Sequence, residues 1–230
     1  MKTERLDLNT SRGATAAVAA RPDKEARAAV ILIHEWWGIN DHIRDIAGRY
    51  ANEGYVCVAP DLFRGKVAKD SEEASRLMHG LDTVDGMETI RQALVETKRA
   101  YGVEKIGITG YCMGGTYALR AACEISALTA AAPFYGDIPE ENVLAKLKVP
   151  TIFFSGTRDG WITPEKVEVL KRAAREYNLP LEVVSYDADH AFFNDTRPEV
   201  YDANAARDAW QRVLAHFQKY LSQAARPTGV

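Results

Sequence analysis

Gly110-Tyr111-Cys112-Met113-Gly114-Gly115 follows the strand-like run Glu104–Thr109 and leads into a helical pattern over Met113–Cys123. Glycine, any residue, a nucleophile, any residue, glycine is the spacing of a turn that lifts one side chain above the end of a strand. Such a turn is sharp and strains its central residue. Side chains beside it would clash, so glycine stands on both flanks. Cysteine occupies the place where serine is usual. A helix starting directly beneath Cys112 is expected to lower its thiol pKa and favour the thiolate. A core cysteine next to a tight turn would look the same in this segment alone, so the surrounding chain has to decide.

Outward from the turn, short apolar runs alternate with amphipathic helices. Upstream, Ala28–Ile33 reads as a strand, 41–52 as a helix, Tyr55–Ala59 as a strand closed by Pro60, and Ser71–Met78 and Val84–Tyr101 as helices. Downstream come strands at Leu128–Ala132, Thr151–Ser155 and Leu181–Tyr186. Thr163 and Pro164 read as N-cap and first residue of a helix. A last helix, about Tyr201–Ser222, places Ala205, Ala209, Trp210, Val213, Leu214 and Phe217 on one face. This alternation predicts an α/β fold with a mostly parallel sheet covered on both faces. In such sheets the chemistry sits in loops at the carboxyl ends of the strands.

Those loops are informative. Gly156-Thr157-Arg158-Asp159-Gly160 follows the 151–155 strand, and Asp187-Ala188-Asp189-His190-Ala191-Phe192 follows the 181–186 strand. Cys112, Asp159 and His190 thus occur in the nucleophile–acid–base order of the α/β-hydrolase fold, each after its own strand. Asp189 is a poor rival acid because it adjoins His190 in the chain; Asp187 stays open. His34-Glu35-Trp36-Trp37-Gly38 follows the first strand of the core, where this fold supplies an oxyanion-hole amide. The backbone N–H groups of Trp36 and Met113 are the expected donors. Glu35 is either a proton acceptor near the thiol or a surface carboxylate. Trp36, Trp37, Tyr135, Trp161 and Phe192 are expected to line a small apolar pocket, each with a core position as the alternative.

Other chemistries lack their residues. His34-Glu35 has no second histidine at the zinc-protease spacing, so no metal site is read. No dinucleotide cradle is present. The chain has 230 residues, 47% hydrophobic and 27% charged, with a net charge of −3. That balance gives no reason to expect nucleic acid or an anionic membrane as partner. No apolar stretch approaches the roughly 20 residues a spanning helix needs, and no signal-peptide pattern opens the chain. Three cysteines, Cys57, Cys112 and Cys123, suit a reducing, cytoplasmic setting. One domain over 1–230 is expected, monomeric, with a flexible tail over 224–230.

These residues resemble the dienelactone hydrolases (carboxymethylenebutenolidase-like proteins). The resemblance runs from about Val30 to Leu221. It rests on the 34–38 segment, Ala59-Pro60-Asp61-Leu62-Phe63, the Cys112 turn, the Asp159 turn and His190-Ala191-Phe192. It implies an eight-stranded α/β-hydrolase core, no cofactor, a Cys–His–Asp triad assisted by Glu35, and cleavage of lactones or small activated esters. The family's dienelactone-cleaving members carry arginines for the substrate carboxylate where this chain has Ser71 and Asn194, with Arg76 and Arg197 near but not aligned. Asn194 is therefore the candidate at that substrate-binding position, and dienelactone itself is in doubt as substrate. Because a thiolate leaves more easily than an alkoxide, enol lactones, aryl esters and thioesters are expected to be preferred over alkyl esters. An acyltransferase or a non-catalytic ligand-binding homologue is the alternative.

Overall fold

In a computed structural model, which describes residues 1–26 and 28–222, eight strands form one sheet. They are β1 (Lys2–Thr10), β2 (Gly13–Arg21), β3 (Ala29–Ile33), β4 (Val56–Pro60), β5 (Ile106–Tyr111), β6 (Ala130–Phe134), β7 (Thr151–Gly156) and β8 (Leu181–Tyr186). The helices are α1 (Asp41–Asn52), α2 (Ser71–Gly80), α3 (Thr83–Tyr101), α4 (Met113–Glu124), α5 (Glu141–Leu144), α6 (Pro164–Glu176) and α7 (Ala203–Leu221). Strand order is β1-β2-β4-β3-β5-β6-β7-β8. The β1–β2 hairpin and the β2–β4 pair are antiparallel, and every other pair is parallel. This is the α/β-hydrolase fold. The flexible-tail expectation for 224–230 lies outside the described residues.

The inner parallel strands are apolar on both faces because helices cover both, while the edge strand β8 is partly exposed. In β3, Val30 and Leu32 pack with α1 and α7 residues such as Ile46, Tyr50, Val213 and Phe217. Ala29, Ile31 and Ile33 lie on the other side, in the apolar layer that also holds Ile90 of α3 and Leu119 of α4. Ile31, Leu32 and Ile33 are all fully buried. Each such side chain contributes on the order of 1.5–3 kcal/mol of burial free energy. This two-sided core holds β3, β5 and β7 in register and β8 pairs in parallel with β7 at the edge, so the loops at their carboxyl ends meet above one sheet edge.

Two local expectations change. Thr163 precedes α6 and Pro164 opens it, but the Thr163 side chain makes no cap hydrogen bond to the helix. Strand β6 runs through Pro133 to Phe134 rather than stopping at Ala132, and pairs with β5 as far as Tyr111.

Candidate active site

Cys112 sits between β5 and α4 with φ 56° and ψ −120°. A non-glycine residue in that region is strained. The strain persists because the glycines around it let three strand ends and the helix close up. A Cβ on Gly114 would stand 2.2 Å from the Ile33 carbonyl oxygen, and one on Gly110 2.2 Å from that of Gly114. The Cys112 N–H bonds the Phe134 carbonyl, which ties the turn to β6.

The thiol is not the low-pKa thiol expected from its helix. Burial pushes Cys112 well above the ordinary cysteine range, and the negative charges of Glu35 and Asp159 act in the same sense. The N–H groups of Met113 and Trp36 act on the sulfur in the opposite, thiolate-favouring sense, and are outweighed. A helix N-terminus offers a fraction of a charge, whereas Cys112 is 5% exposed with two carboxylates facing it.

Between β7 and β8 the acid and the imidazole meet. His190 Nδ1 lies 2.6 Å from Asp159 Oδ2. The other carboxylate oxygen, Oδ1, accepts the N–H groups of Trp161 and Ile162, each at 2.8 Å. Burial works to raise the Asp159 pKa. The His190 hydrogen bond and charge, with those two amides, outweigh it and hold the carboxyl below the usual range. The rival acids are occupied: Arg158 binds Asp187 and Asp189 at the surface, at 2.6 and 3.2 Å. The His190 ring stands edge-on to Tyr135 at 5.1 Å and against Trp161 at 5.2 Å. Among the described residues its buried Nε2 has no hydrogen-bond partner.

Glu35 approaches from the β3 side, 2% exposed. Asn194 Nδ2 donates to Glu35 Oε2 at 2.8 Å, and Asn194 Oδ1 accepts the N–H of Thr196 at 3.0 Å, which fixes the amide's orientation. Burial raises the Glu35 pKa to about 7, and His190, Asn194 and Arg197 restrain the rise.

Cys112, His190 and Glu35 share a cavity of about 300 Å³ with Trp36, Trp37 and Trp161. Met78 of α2, Ala191 and Arg197 complete its wall. Tyr135, Phe192 and Asn194, expected on that wall, are not on it. Tyr135 and Phe192 are fully buried one layer back, supporting His190 and the β6–β8 core, and the Asn194 amide is taken up by Glu35 and Thr196. Arg76 pairs with Glu72 on the outer side of α2, while Arg197 reaches the cavity and pairs with Glu199. Sequence reasoning missed Met78 and set Arg197 aside as unaligned; seven residues of irregular chain after His190 carry no period that would aim it. Among the described residues no three His, Cys, Asp or Glu side chains are grouped as a metal ion would require, and no helix is long and apolar enough to cross a membrane.

An eight-stranded sheet of this order, with a strained strand-to-helix turn at its centre, defines an α/β-hydrolase. The chain belongs to the dienelactone hydrolase family, which it matches over residues 15–221, and this is a family of esterase-type hydrolases. It is 34% identical over 208 residues to "Protein usf" of Aquifex pyrophilus, covering 84% of this chain and 88% of that protein. A candidate carboxymethylenebutenolidase of Aquifex aeolicus is 32% identical over 213 residues, covering 86% and 90%. The crystal structure of a candidate dienelactone hydrolase from Klebsiella pneumoniae superposes with a TM-score of 0.87 at 28% identity, covering 95% of this chain and 99% of that one.

Proposed function

We propose that this hydrolase cleaves a small activated ester or lactone through Cys112, with His190 and Asp159 as base and orienting acid and Glu35 as a second proton acceptor. One observation carries the reading. The 2.6 Å His190–Asp159 bond leaves an imidazole whose remaining nitrogen is unpartnered, on a cavity that also holds a strained cysteine.

The steps follow from the groups. A thiol pushed up by burial is protonated at neutral pH and needs an acceptor. Glu35, at about 7, is matched to take that proton, and its charge already acts on the sulfur. The thiolate adds to the substrate carbonyl carbon and the oxyanion rests on the Trp36 and Met113 amides, each donor lowering the barrier by a few kcal/mol. The thiol's proton passes on to His190, and the carbon–oxygen bond to the leaving group breaks as that imidazolium protonates the departing oxygen. Water, deprotonated by His190, then hydrolyses the Cys112 thioester. Enol, aryl and thiol leaving groups compete best with expulsion of the thiolate. Tryptophan walls and a 300 Å³ volume suit a flat, small acyl or aryl group, with Arg197 the cation at hand for an anionic substituent. The free, buried cysteines support a cytoplasmic setting.

Matched phenyl and ethyl esters of one acid, run on the wild type and on Cys112→Ala, test this. A large preference for phenyl, lost in Cys112→Ala, is the expected result. Equal turnover of the two esters, or an active Cys112→Ala, would overturn it.

A further inference from the structure

His34 is fully buried, touches no substrate space, and has both ring nitrogens in use. The Leu62 N–H donates to Nε2 at 3.2 Å, which makes Nε2 the acceptor and leaves the ring proton on Nδ1. Nδ1 lies 2.6 Å from the Glu35 carbonyl oxygen and therefore donates to it. Burial lowers the pKa of His34, which keeps this neutral tautomer in place. Phe63 packs edge-on against the ring at 4.9 Å. Asp61 fixes the same turn by accepting the N–H groups of Phe63 and Gly65. The Asp61-Leu62-Phe63 segment, which the chemistry above does not use, thus holds His34.

A peptide unit is planar and trans, so its C=O and N–H point in opposite directions. Pinning the Glu35 carbonyl on the His34 side aims the N–H of the next residue, Trp36, the other way, toward the Cys112 sulfur on which it acts. The Gly38 N–H bonds the same carbonyl at 3.2 Å and closes the loop from behind. We infer that His34 is a positioning residue for the reaction: it clamps the Glu35–Trp36 peptide so that one oxyanion donor is aimed before substrate arrives. This inference rests on the Cys112 reading of the site.

The test compares three variants by kcat, KM and thermal melting on a phenyl ester. His34→Phe fills the site and keeps the contact with Phe63 but removes both nitrogens. His34→Asn places an amide N–H at the same bond distance from Cγ as Nδ1, and so can still donate to Glu35. Cys112→Ala reports on the underlying reading. Losing one oxyanion donor outright costs about 10²–10³ in kcat, and with Gly38 still in place a loss of about 10–100-fold is expected for His34→Phe. KM should hold within about twofold, since the donor acts on charge present only in the transition state. His34→Asn should recover most of the rate. A folded His34→Phe with wild-type kcat would overturn the clamp while an inactive Cys112→Ala left the nucleophile standing. So would a His34→Asn protein that melts like the wild type yet is as slow as His34→Phe. An active Cys112→Ala would remove both inferences together.

Discussion

Asp159 and Glu35 are both buried carboxylates within reach of the same imidazole and thiol, yet their surroundings drive them apart. Asp159, between β7 and β8, receives His190 and two backbone amides and is held below the normal range. Glu35, after β3, has one neutral side-chain donor, Asn194, and is raised to about 7. Burial acts on both; the count and charge of the donors decides which stays ionised. On the proposed reading of the site, two like groups pushed apart in this way divide the labour. Asp159 suits a fixed negative charge that orients the ring, and Glu35 suits a group that gains and loses a proton near neutrality.

Breaking the Asp159 side should have the largest effect. Asp159→Asn keeps the shape but lets the imidazole take the wrong tautomer, and kcat is expected to fall by about 10²–10⁴ with KM little changed. A loss below tenfold would mean that another acid serves His190.

Breaking the Glu35 side should cost less rate and change the pH profile. Glu35→Gln is expected to lower kcat/KM by about 10–100-fold at pH 7 and to abolish an acidic limb near pH 7 in the wild type. It should also alter stability with a defined sign. A carboxyl whose folded pKa is raised stabilises the fold below its unfolded value near 4.5 relative to higher pH, and that advantage fades as pH rises through about 7. Wild-type unfolding free energy should therefore fall by up to about 3 kcal/mol between pH 4.5 and pH 8 from this group. Glu35→Gln should lack that fall in denaturant titrations at the two pH values, and an identical fall in both proteins would contradict the assignment.

Asn194→Ala removes a donor that favours ionised Glu35, so the acidic limb should move to higher pH. An unmoved limb would show that Glu35 does not set it. The smallest effect is expected at Arg158, half exposed, which binds Asp187 and Asp189 and so fastens the Asp159 loop to the His190 loop. Because exposed pairs are weak and screened, Arg158→Met should cost less than about tenfold in kcat and should flatten the salt dependence of the wild-type rate.

The positions of Asp159 and Glu35 are legible in the chain but their opposite shifts are not. Burial and donors are set by the fold, whereas strands buried on both faces announce themselves as apolar runs and the loops after them are short. Cys112 and Asp159 stand out for that reason, while His190 follows β8, a partly exposed edge strand. Strands β1 and β2 do not stand out. The β1 side chains are mostly exposed, and β2 is rich in alanine, so neither carries a strong strand signal. The four-residue α5 is too short to show a helical period. The amide at the start of the helix beneath Cys112 acts on the thiol in the expected direction, but burial and the two facing carboxylates, which are not visible in sequence, outweigh it. The role of Asn194 was hidden similarly: its partner Glu35 lies 159 residues away.

The most direct measurement is peptide mapping of protein quenched in acid during the first turnover of a slow aryl ester. The expected result is one acyl group, carried by the peptide that contains Cys112 and absent from Cys112→Ala. An acyl group on any other side chain, or none during rapid turnover, would contradict the account.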